Sequence, residues 1–104
     1  MKVAITSRGE SLDALLDQRF GRCAYFVIYD TENGSTEFIK NPNVEVEEGA
    51  GPASVGIVAN KGVSKIVSGE FGFKIKGMLN DLSIQMVMVK EEKTVAEIIA
   101  LLQK

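Results

Sequence analysis

Four side chains near the start of the chain have types that could do chemistry together: Arg8, Arg19, Arg22 and Cys23, all within the stretch SRGESLDALLDQRFGRC. They are every arginine and the only cysteine of a 104-residue sequence that has no histidine. The rigid donor fork of arginine suits anionic groups. A thiol beside cations is drawn towards the thiolate, the form that binds soft metals or reacts. The cluster therefore reads as an anion site, with Cys23 its one candidate metal ligand. Solvated surface charge and a small buried cysteine explain the same residues, and one thiol alone makes an incomplete metal site.

What is missing narrows the chemistry further. Without histidine no Cys-His or Ser-His arrangement can be built, and the usual base near neutral pH is lacking. EEGAGPASVG has no lysine where a phosphate-binding P-loop needs one, and no dinucleotide fingerprint follows the first strand. Asp13, Asp17, Asp30 and Asp81 are too scattered for a two-metal nuclease. Twelve basic against 14 acidic residues, a net charge of -2, provide no broad positive field for nucleic acid. No apolar run is long enough to span a bilayer. One cysteine and a start without signal-peptide order point to a cytoplasmic protein.

The elements that must position these groups can be read from hydrophobic pattern. KVAIT and CAYFVIYD are apolar on both faces, so they need cover on both sides, as in a layered α/β protein. Between them, Leu12, Leu15 and Leu16 suggest a turn or two of helix within a long loop. Asn33-Gly34 marks a tight hairpin to the alternating strand STEFIK. Pro52 suits the first turn of a helix that Gly62 ends. SKIVS, a helix with Phe71, Ile75, Met78 and Leu79 on one stripe, and SIQMVMV follow. Thr94 and Glu97 form a capping-box pattern at the start of the last helix. Because strand-helix-strand crossovers are right-handed, the expected fold is a mixed five-stranded α/β sheet of order 3-2-1-4-5 with strand 2 antiparallel, in a single domain spanning residues 1–104.

That topology gathers the start of the second strand, where Cys23 lies, with the loops TSRGE, EEGAGP and SGEFG. In open α/β sheets ligands bind where strand order reverses, here between strands 1 and 4. The expected crevice holds Arg8, Arg22 and Cys23 with two glycine-containing helix starts, Gly49, Ala50 and Gly51 in one and Gly69 and Gly72 in the other. Helix N-termini favour anions.

SLDALLDQRFGRCAYFVIYD, then GAGPASVGIVANKGVSKIVSGEFG, then a helix leading to LSIQMVMV together resemble the dinitrogenase iron-molybdenum cofactor biosynthesis family over nearly the whole chain. The resemblance implies a three-layer α/β/α ribonuclease-H-like motif. It implies a non-catalytic carrier for an iron-molybdenum cofactor, an iron-sulfur cluster or a precursor, working with cofactor-assembly proteins as a monomer or weak homodimer. Cys23 would be the metal ligand, with Arg8 and Arg22 as charge partners and the glycine loops as backbone cradles. Cofactor-handling members would be expected to offer histidine as well, so ligation here would rest on Cys23 alone or on a second subunit. The alternative from another class is a small-anion or regulatory interaction module that binds no metal.

Overall fold

The computed structural model describes residues 1–103. Its elements run β1 (Lys2–Ser7), β2 (Tyr25–Asp30), β3 (Thr36–Lys40), α1 (Ala50–Asn60), β4 (Lys65–Ser68), α2 (Phe73–Asp81), β5 (Gln85–Met88) and α3 (Val95–Leu102). The five strands form one sheet of order β3-β2-β1-β4-β5. β2 runs antiparallel to β1 and β3, whereas β1, β4 and β5 are mutually parallel. This is the topology expected from the sequence.

Side chains alternate across the sheet, and each face is covered by its own helices. Ala4, Phe26, Ile28 and Ile66 meet Val55 and Val58 of α1 and Ile75 and Leu79 of α2. On the opposite face Val3, Ile5, Val27, Tyr29 and Val67 meet Val95 and Ile98 of α3. Central β1 is apolar on both faces because both are covered, and Val3, Ala4 and Ile5 are each 0% exposed. Edge strand β3 is mostly exposed and half polar. Its Glu37 pairs with Lys61 at 2.9 Å across solvent-facing positions, a contact worth little.

Two local readings need correction. Leu12, Leu15 and Leu16 make no helix: residues 12 and 13 form a turn, and the two following leucines are extended, with Leu15 bridging Thr94 and Leu16 bridging Ser7. Their i, i+3, i+4 spacing serves two different packing partners, because Leu16 is buried against the α3 face while Leu12 is 42% exposed. The β2–β3 connection is also not a two-residue Asn-Gly turn. Gly34 takes a φ of 76° and Asn33 keeps a negative one, and the Asp30 amide instead reaches the Ser35 carbonyl at 3.0 Å across a wider loop.

The helix boundaries follow the chemistry read from the sequence. Gly62, at φ 75°, ends the turn after α1. Phe71 lies just before α2 yet is buried with its stripe. Ser83 takes φ 58°, and the amides of Ser83 and Ile84 return to the carbonyls of Asn80 and Leu79. These bonds satisfy the open carbonyl end of α2.

Candidate functional site

The point of strand-order reversal between β1 and β4 is not a crevice. Residues 15–18 fold back over it. Thr6 Oγ1 donates to the Asp17 carbonyl at 2.7 Å and shares a hydrogen bond with Ser68 Oγ at 2.9 Å, and the Asp17 amide donates to the Thr6 carbonyl at 2.9 Å. Thr6 and Ser68 are both 0% exposed. Gly69 is used by this plug, since a side chain there would run into Gln18.

A cleft lies beside the plug, with a volume of about 860 Å³. Three pieces line it: Arg19–Arg22 from the loop before β2, Glu47–Gly51 at the start of α1, and Glu70, Gly72, Lys74 and Ile75 at the start of α2. Phe20 anchors the first piece. Its ring lies 5.9 Å from Phe26 and 5.7 Å from Phe71, centroid to centroid, so exposed Arg19 and half-buried Arg22 on either side hang from a buried aromatic cluster.

Buried Asp17 closes the same loop from within. Its Oδ1 accepts the Arg19 amide at 3.0 Å and its Oδ2 accepts the Ala24 amide at 3.3 Å. One carboxylate thereby ties both ends of the Arg19–Cys23 arch. Arg19 Nε sits 3.4 Å from Asp17 Oδ1, with the rest of its guanidinium exposed beside the cleft.

Both helices begin at the cleft without a cap. Gly49, at φ 79°, precedes α1, and neither a side-chain cap nor an acidic residue in the first turn occupies that end. Gly72 precedes α2 in the same condition. The first helical amide bonds run from Ala53 to Gly49 and from Lys76 to Gly72. This leaves the amides of Ala50 and Gly51, and of Phe73, Lys74 and Ile75, ahead of the first helical hydrogen bonds. Each such end carries roughly half a positive charge. α3 is treated differently: Thr94 Oγ1 and Glu97 close a full capping box.

Of the residues expected from the sequence, Arg22, Gly49, Ala50, Gly51 and Gly72 line the cleft, whereas Arg8, Cys23 and Gly69 do not. Arg8 is exposed beyond the plug, and its amide bonds the Leu15 carbonyl. Cys23 is 0% exposed in the α1/α2 core. Asn41 Nδ2 donates to the Cys23 carbonyl at 2.9 Å and lies 3.9 Å from its Sγ. Burial first, and then the Asp17 charge, push the thiol far above its ordinary range. A neutral buried thiol is not a metal donor as it stands. Among the described residues no set of three His, Cys, Asp or Glu could hold a metal ion.

Sequence reasoning named Arg19 in the arginine cluster but left it out of the expected crevice, and it did not assign Phe20, Gly21, Glu47, Glu48, Glu70, Lys74 or Ile75 to the site. Lys74 was findable, since it stands two residues after Gly72. The acidic residues were not, because a run such as EVEEG reads as a solvated loop.

Fold and site together define a small mixed-sheet α/β/α protein whose cleft is built from two adjoining helix N-termini and an arginine-bearing arch. No helix among the described residues is long and apolar enough to cross a membrane. The chain belongs to the dinitrogenase iron-molybdenum cofactor family, which it matches over residues 1–104. It is similar to the apo form of the orange protein of Desulfovibrio gigas, with a TM-score of 0.91, 29% identity, and coverage of 97% of this chain and 85% of that one. A Thermotoga protein provisionally called NifB, of the DUF35 family, has a TM-score of 0.84 and 33% identity over 97% of this chain and 85% of its own. An uncharacterized protein of Methanocaldococcus jannaschii is 34% identical over 74 residues, which is 68% of this chain and 63% of that relative's length.

Proposed function

We propose that the protein is a non-catalytic carrier whose cargo is an anionic metal-sulfur cluster of the iron-molybdenum cofactor type, or a precursor of it. The observation that carries this reading is that α1 and α2 both open, uncapped, into one cleft, while α3 is fully capped. Free main-chain amides and fixed cations are what an anionic cluster rich in sulfide or oxo groups needs for a hold that makes no bond to the metal. Arg19, Lys74, Gly49–Gly51 and Gly72 form the cradle, and Arg22 shapes its wall. Membership of the family supports the cargo class, and likeness to a protein described in an apo form supports a ligand-holding role. A sulfide-rich cargo belongs in the reducing cytoplasm, where cofactor-assembly proteins are the natural donors and acceptors.

The hold is non-covalent. Cys23 acts as a core residue that fixes the arch, because reaching the cleft would require the thiol to leave its apolar pocket and Asn41. The test is an anaerobic titration of isolated iron-molybdenum cofactor, and separately of a [4Fe–4S] cluster donor, into wild type, Cys23→Ala and the pair Arg19→Gln/Lys74→Gln. Metal content and absorbance are read after desalting. Uptake kept in Cys23→Ala and weakened about tenfold in the double variant, the effect of one or two lost charge-assisted contacts, is the expected result. Uptake abolished in a folded Cys23→Ala would restore the thiolate as ligand. No uptake by any form would favour a small-anion or regulatory module in the same cleft.

A further inference from the structure

The wall of the cleft contains a cation spent in an unusual way. Arg22 makes no ion pair among the described residues. Its Nη1 donates to the carbonyls of Val46 at 2.6 Å and Val44 at 3.2 Å, and its Nη2 donates to that of Glu47 at 3.4 Å. Among the described hydrogen bonds, these are the ones that tie residues 44–47 to the rest of the molecule. Residues 44–48 carry Glu45, Glu47 and Glu48, and the last two line the cleft that Arg19, Lys74 and the two helix ends make attractive to anions. It is fixed at one end by buried Asn41, whose side chain bonds the carbonyls of Gly21 and Cys23 and the amide of Asn43. At the other end is Gly49, in the left-handed region at φ 79°, a backbone state that suits a pivot.

We propose that Arg22 and residues 44–48 form an electrostatic latch that makes the cleft selective for multiply charged anions. The inference rests on reading the cleft as an anion cradle and deepens that reading. In the free protein the latch holds two carboxylates where an anion must come, so a weakly charged anion meets repulsion and gains little from a guanidinium that is already hydrogen-bonded. A polyanion is a much stronger acceptor for the arginine fork than a neutral carbonyl. It draws Arg22 off the three carbonyls, and residues 44–48 swing about Gly49 and carry Glu47 and Glu48 away from the ligand. Ligand charge thus opens the latch, and a highly charged cluster qualifies where cellular monoanions and single dianions do not.

The experiment uses sulfate, pyrophosphate and tripolyphosphate as probes of rising charge on the full chain at constant ionic strength. It follows amide shifts of Ala50, Gly51, Phe73 and Lys74 for binding, and the heteronuclear NOE of Val44, Val46 and Glu47 for latch mobility. Variants are Glu47→Gln/Glu48→Gln, which removes the repulsion, and Arg22→Lys, which keeps the charge but loses the fork. In wild type, tripolyphosphate binding lowers the NOE of residues 44–47 and sulfate does not. The Gln pair narrows the affinity gap between tripolyphosphate and sulfate by about tenfold, and Arg22→Lys shows a mobile segment before any ligand is added. Cleft shifts with an unmoved segment and an unchanged affinity gap overturn the latch and leave the cradle standing. No cleft shifts with any probe in any variant overturn both.

Discussion

Gly21 and Gly51 meet backbone to backbone: a Cβ placed on Gly21 would sit 3.0 Å from both the Cα and the nitrogen of Gly51. This contact brings the arginine arch against the open end of α1. The Gly21 carbonyl is held there by Ser54 Oγ at 2.9 Å and Asn41 Nδ2 at 3.1 Å. Gly21→Ala therefore pushes on main chain that cannot turn aside, and it should cost about 1–3 kcal/mol as an overpacked contact. Gly51→Ala meets only side-chain atoms of Ile75, Cδ1 at 2.6 Å and Cγ1 at 3.0 Å. That side chain can shift where main chain cannot, and alanine gains up to about 1 kcal/mol of helix preference over glycine. Urea unfolding should show the first variant clearly destabilised and the second within about 1 kcal/mol of wild type. Equal losses would mean that the arch and α1 are not in rigid contact.

Cys23 gives the protein an alkaline weakness. Its thiol is buried and held far above the ordinary value of 9.0, so the folded form keeps the proton that the unfolded chain gives up. The contribution is complete below pH 9 and is lost as pH rises beyond it. Wild-type stability should fall by about 1.4 kcal/mol per pH unit from this group alone. Cys23→Ala, costing about 1 kcal/mol at neutral pH for the lost apolar burial, should lack that part of the slope. Urea midpoints between pH 7 and about 10.5 separate the two proteins, because every other titrating group is common to both. Parallel curves would show that the thiol ionises freely in the folded state. The native thiol should also resist a small disulfide reagent until the chain unfolds.

The plug over β1 and β4 makes a third case. Thr6 Oγ1 bonds both the Asp17 carbonyl and Ser68 Oγ with no access to water. Thr6→Val keeps the shape and removes the donor, leaving buried oxygens short of a partner at a cost of about 1–3 kcal/mol. If residues 15–18 are held by this network, hydrogen exchange at the Asp17 amide, which donates to the Thr6 carbonyl at 2.9 Å, should quicken more than exchange in β2. Uniform quickening through the sheet would assign the loss to global stability instead.

The sheet was legible because its signals are local and strong. The two doubly apolar strands, the Pro52 and Gly62 boundaries and the Thr94-Glu97 cap each follow from a few neighbouring residues, and right-handed crossovers fix the remaining order. The site was legible at Gly49, Ala50, Gly51, Gly72 and Arg22, and Arg19 was named in the cluster but not in the crevice. Cys23 and Arg22 are adjacent in sequence and have opposite fates, one turned into the core and the other into the cleft wall. The plug explains the larger miss. It comes from a fold-back of residues 15–18, whose leucine spacing imitates a helix while serving Ser7 and Thr94 in extended form. No local pattern encodes that return, and it moved the cleft from the β1–β4 junction to the starts of α1 and α2.

The capped start of α3 allows a prediction of opposite pH sign. The Glu97 carboxylate accepts the Thr94 amide at 2.9 Å, and the Glu97 amide donates to Thr94 Oγ1 at 3.1 Å. The backbone bond from Thr94, followed by its side-chain bond, holds the Glu97 carboxyl below its ordinary value of 4.5. A depressed carboxyl stabilises the fold fully above the unfolded value and loses that contribution as pH falls through the folded one. Glu97→Gln, which keeps an acceptor without the charge, should therefore differ from wild type at pH 7 and by less at pH 3. Thr94→Ala removes the cap oxygen at any pH and should cost about 1 kcal/mol throughout. Thermal unfolding of the three proteins at both pH values checks this. A Glu97→Gln deficit that persisted undiminished at pH 3 would assign the role of Glu97 to packing rather than to its charge at the helix start.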